Sequence, residues 1–162
     1  MMYAYLIAMI AVFVICYLAY RSKPEKYADL MGVSALLALV FFVNNLLVIL
    51  YGFPDALLAS PVLDCFLAVM IYRAWLRSRE KWKVVVVASL VAQLTLHVAA
   101  IAMWKSDQFT QHGLYLYVVA VNGFFIVQLA ALGIVGAGHG LDRLISYLFS
   151  RGGTCPLSDA MR

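Results

Sequence analysis

Asp64 and His97 have the clearest capacity for chemistry in this sequence, because each sits inside a long apolar run. An ionised side chain in hydrocarbon must be neutralised or matched by a partner. Ser60 and Asp64 are four residues apart and share one helical face, and Ser89, Gln93 and His97 (i, i+4, i+8) form another. Asn44 and Asn45 lie in a further apolar run and Asn122 in another, each able to donate and to accept hydrogen bonds. Three chemistries suit such a set: a proton relay, a cation site, or a polar ring lining a pore. The plain alternative is that the same groups cross-bond a helical bundle, each bond worth under about 2 kcal/mol.

The elements that must hold these residues follow from composition. Of 162 residues, 65% are hydrophobic and 12% charged, whereas a soluble domain is about half apolar and a quarter charged. A chain this small cannot hide so much apolar surface from water. With a mean hydropathy of +0.93, its main solvent is lipid. For the chain as a whole, a soluble enzyme, a nucleic-acid module and a disordered tail are all excluded. Five runs, at about 2–20, 30–51, 56–72, 84–104 and 113–136, reach the roughly 20 residues that a bilayer crossing requires. The expectation is an all-α, five-helix transmembrane bundle within residues 1–140.

Loop charges orient it. Arg21, Lys23 and Lys26 follow the first run, Arg73, Arg77, Arg79, Lys81 and Lys83 the third, and Arg143, Arg151 and Arg162 the fifth. The opposite side holds only Lys105. The positive-inside rule then puts the N-terminus outside and the C-terminus in the cytoplasm, in a multi-pass protein of the inner (plasma) membrane. The first run lacks a basic leader and reads as an uncleaved anchor. Beyond Gly136, Leu141, Leu144, Ile145, Leu148 and Phe149 recur at helical spacing. That pattern implies a short amphipathic interfacial helix over 141–153, followed by a disordered tail over 154–162.

Helical phase adds packing faces. Ala88, Ala92, Thr95, Ala99 and Ala102 form a small-residue stripe, roughly 140° around the helix from Ser89, Gln93 and His97. Two such faces leave little for lipid, which marks the fourth span as the centre of the bundle or of an oligomer. Gly136-x-x-x-Gly140 reads either as a close oligomer contact or as a break leading into the interfacial helix. Tyr115 aligns with Asn122 on the fifth span. By depth, Asn44, Asn45, Asp64, Gln93, His97 and Asn122 share one slab toward the outer side, with Gln128 alone in the inner half.

Other chemistries find little support. Metal binding wants several ligands at one site, and His97 with His112 is a weak basis for haem. His139 reads as interfacial. Cys16, Cys65 and Cys155 imply no disulfide. No metal, no cofactor and no catalytic residue is expected, and the chain does not read as an enzyme. The leading expectation is an oligomeric permeation or membrane-lesion subunit, of bacterial or phage origin. Its economy is similar to that of the lesion-forming holins of bacteriophages, although five spans exceed their usual count. The alternatives are a non-catalytic accessory subunit of a larger membrane complex and a proton- or ion-coupled carrier centred on Asp64 and His97. The partners implied are the lipid bilayer and either further copies of the chain or another membrane protein, with no nucleic acid.

Overall fold

The computed structural model describes residues 2–106, 108 and 110–151, and the regular structure among them is all helical. Helix α1 spans Met2–Ser22, α2 Pro24–Tyr51, α3 Phe53–Ser78, α4 Lys81–Lys105 and α5 Gln111–Arg151. A backbone in hydrocarbon has no water to bond, so each segment satisfies its own N–H and C=O groups as helix. All five are long and apolar enough to cross a membrane, which fits a multi-pass membrane protein. Large apolar side chains such as Ile7, Ile49, Val62 and Ile134 face outward, where lipid would cover them.

The turns are short, and their residues account for them. Lys23 alone separates α1 from α2, and Pro24 opens α2 where its missing N–H costs nothing. Gly52 joins α2 to α3 at φ 84°, a left-handed value that any side chain would disfavour. Arg79 ends α3 at φ 54°. Its N–H returns to the Trp75 carbonyl at 2.7 Å, and its guanidinium lies 4.4 Å from the Trp75 ring. Those contacts offset the roughly 1–2 kcal/mol of a non-glycine residue in that region.

Each helix packs on its neighbours in sequence and α5 returns against α1, so the five close into a ring. Among the described residues, only α2 and α5 also touch across it. This corrects the expectation that the fourth span is the centre of the bundle: α4 is one stave of the ring, flanked by α3 and α5. Its polar stripe turns inward, while Ala88, Thr95, Ala99 and Ala102 are exposed and Ala92 is half-buried. Alanine is at ease in lipid, so nothing forces the small-residue face inward.

A second correction concerns α5. It runs unbroken through Gly136 and Gly140 to Arg151 rather than stopping for a separate helix. A glycine costs a helix about 1 kcal/mol, less than unbonded backbone costs in hydrocarbon. A Cβ at Gly136 would come within 2.8 Å of Ile15 Cγ2 and 3.5 Å of the Cys16 backbone nitrogen. Gly136 therefore lies where α1 and α5 pack closely within one chain. The expected tail at 154–162 lies outside the described residues, as do the side chains of 141–151 on which an amphipathic face would be judged.

The ring has two unlike halves. Asp29, early in α2, pairs with Lys83, early in α4, which puts the α1–α2 and α3–α4 turns at one end. The basic residues around those two turns gather there, and Lys105 sits at the other end with Gly52. Toward the basic end the interior is dry: Leu30, Val33, Ile71, Val86 and Leu90 are buried in one apolar cluster. The other half holds a cavity.

Candidate functional site

The cavity measures about 410 Å³ and is lined by all five helices. Helix α3 contributes Ser60 and Asp64, one turn apart on its inward face. Helix α4 contributes Gln93 and His97, again one turn apart. From α2 come Asn44 and Asn45, from α1 Tyr5, and from α5 Tyr117, Asn122 and Gln128.

At its heart, the imidazole of His97 bridges two other helices. Its Nε2 lies 2.9 Å from Asp64 Oδ2, and its Nδ1 lies 2.5 Å from the Tyr117 hydroxyl. Asp64 is 2% exposed and His97 1%. With neutral His97 carrying its proton on Nε2, that nitrogen donates to the carboxylate and Nδ1 accepts from the phenol. With His97 protonated, both nitrogens donate and the hydroxyl turns to accept. Neither contact is lost when the proton count changes.

Two further cross-helix pairs flank this chain. Gln128 Nε2 donates to Gln93 Oε1 at 3.0 Å, and Ser60 Oγ donates to Asn44 Oδ1 at 3.1 Å. Asn45 Nδ2 donates back to the Phe41 carbonyl at 2.7 Å. Asn122 borders the cavity and makes no side-chain hydrogen bond among the described residues.

The structure thus brings together Asn44, Asn45, Asp64, Gln93, His97 and Asn122. Ser89 does not join them: it is buried, but its hydroxyl bonds the Val86 carbonyl of its own helix at 2.7 Å. Gln128 does join them, through Gln93, and so is not isolated in the inner half. Tyr115 is 62% exposed, and the tyrosine that reaches the site is Tyr117. A signal for it exists: Tyr117, Val121, Phe125 and Gln128 form one helical stripe with a polar residue at each end. His112 is exposed. Among the described residues no three His, Cys, Asp or Glu side chains converge as metal ligands would.

Lys83 is the other residue whose place differs from the sequence reading, which took it as a loop charge. It is fully buried. Its ammonium bonds Asp29 and Ser78, lies 3.0 Å from Glu80 Oε2, and reaches the Ala74 carbonyl at 3.4 Å. Glu80 also accepts from Trp82 Nε1 at 3.1 Å. Comparison with family models, curated proteins and solved structures finds no match. The chemistry of the cavity must carry the functional reading.

Proposed function

We propose that this chain is a small permeation protein of the inner membrane that passes protons by way of the Asp64–His97–Tyr117 chain in the cavity of its own five-helix ring, without covalent catalysis. The observation that carries the reading is His97, held at both ring nitrogens between Asp64 and Tyr117. An imidazole so held can take a proton at one nitrogen and release one from the other, and either state keeps its partners. By the positive-inside rule the basic end faces the cytoplasm and the N-terminus lies outside. A pore assembled from several copies would need its polar groups on the outside of each ring. Here they bond one another inside it, which favours a path within one chain.

Proteoliposomes loaded with the pH dye pyranine test this reading. A potassium–valinomycin potential should drive proton uptake faster than in protein-free vesicles. Asp64→Asn should cut that uptake by about tenfold or more, since an amide cannot exchange the proton. Uptake no faster than in empty vesicles would sink the proposal. A second reading, a non-catalytic subunit packed against another copy or another membrane protein, is favoured by the exposed small-residue face of α4. It expects co-purification with that partner from native membranes and no proton flux from the chain alone.

A further inference from the structure

One oxygen of Asp64 is not used by the His97–Tyr117 chain. Oδ2 takes the His97 contact, whereas Oδ1 has no hydrogen-bond partner among the described residues and is not among the fully enclosed atoms. It therefore borders the cavity that Asp64 lines. No Lys, Arg or Glu lines that cavity among the described residues. The titratable groups facing Asp64 are His97 from α4 and Tyr117 from α5, while α2 offers the neutral Asn44 and Asn45 and α1 offers Tyr5. With His97 neutral, the pair carries one negative charge in a low-dielectric site, and one positive charge restores neutrality. A proton can supply that charge, and so can a bound cation.

The walls select among cations. A bare metal ion wants several oxygen ligands closing around it, and Oδ1 is the one uncommitted carboxylate oxygen. The cavity volume, about 410 Å³, falls in the range of small organic ligands, roughly 300–1,000 Å³. Phe41 and Phe125 line it as a stacked pair, ring centroids 5.1 Å apart and planes at 15°. Aromatic rings and a carboxylate lining one cavity are the surroundings in which ammonium groups are held. We infer that the cavity binds a small organic ammonium ion, its charge on Asp64 and its apolar body on Phe41 and Phe125, in exchange for the proton of the Asp64–His97 pair. The exchange rests on the permeation reading above; the binding does not.

Equilibrium dialysis of benzyltrimethylammonium against the full chain in lipid nanodiscs tests it, with phenylacetate as the anionic comparison and empty nanodiscs as background. The cation should be retained and phenylacetate should not. Affinity should fall as the pH is lowered, because a protonated carboxyl no longer attracts the cation. It should fall by about tenfold or more in Asp64→Asn, and by about three- to tenfold in Phe125→Leu. A measurement needing no variant is proton release: adding benzyltrimethylammonium to weakly buffered wild-type protein should acidify the solution. Equal retention of phenylacetate, or an affinity indifferent to both pH and Asp64→Asn, would overturn the site. If the cation binds and expels a proton but proteoliposomes show no flux, the site stands and the permeation reading falls. If flux depends on Asp64 while wild type retains no cation, the ammonium site falls and the permeation reading stands.

Discussion

Among the described residues the molecule buries acidic or basic side chains at two places, and they are built on opposite principles. At the basic end, the Lys83 ammonium is fully enclosed but surrounded by Asp29, Glu80, Ser78 and the Ala74 carbonyl. Both carboxylates there stay about 40% exposed and keep part of their hydration. The ammonium has no donor left over. In the cavity, Asp64 and His97 are both buried, yet one carboxylate oxygen and the Asn122 amide still face open volume. Burial of charge therefore does not by itself tell the two places apart. The uncommitted hydrogen-bonding capacity beside empty space does, and the saturated cluster at the other end reads as a staple joining α2, α3 and α4.

The largest effect should come from unbalancing the staple. Asp29→Asn with Glu80→Gln leaves a buried ammonium without counter-charge and should cost about 3–5 kcal/mol, read from thermal unfolding in detergent. Adding Lys83→Met to that pair should recover most of the loss, because a well-packed apolar chain replaces a buried ion pair at little cost. If it does not, the staple does more than hold helices together. Next comes the α1–α5 contact, where Gly136→Ala should destabilise by about 1–3 kcal/mol through overpacking on Ile15. Ile15→Ala should relieve it. Gly133→Ala, whose Cβ would sit at an ordinary 3.5 Å from Val12, should change stability by under about 1 kcal/mol. A small stability change belongs to the cavity: Tyr117→Phe removes one hydrogen bond, about 1 kcal/mol, yet should slow proton flux several-fold. Tyr115→Phe, at an exposed position on the same helix, should alter neither; equal flux in the two variants would end the relay at His97.

Much of the fold is legible in the sequence for one reason: lipid imposes a length and a composition on every crossing. Five long apolar runs separated by short polar ones leave few alternatives to five helices. The site was legible in part. Asp64, Gln93, His97 and the asparagines stand out because polar groups in apolar runs are costly wherever they point. Tyr117 and Lys83 do not stand out, since a tyrosine near a span end reads as an interfacial anchor and a lysine beside a turn reads as topology. Ser89 stood in the right stripe, but its hydroxyl found a carbonyl one turn back, a local option open to any serine in a helix.

The sequence by itself determined the number of helices and that each is long and apolar enough to cross a membrane, because hydropathy acts residue by residue. Only the tertiary structure decided which faces meet. Ring closure of α5 on α1 assigned Gly136 to a close contact within the chain, turned the α4 polar stripe inward, and aligned a carboxylate, an imidazole and a phenol from three helices. No local pattern encodes that alignment. It depends on how each helix is rotated against two neighbours at once, and the balance of packing and hydrogen bonds that sets those rotations is a property of the assembled ring.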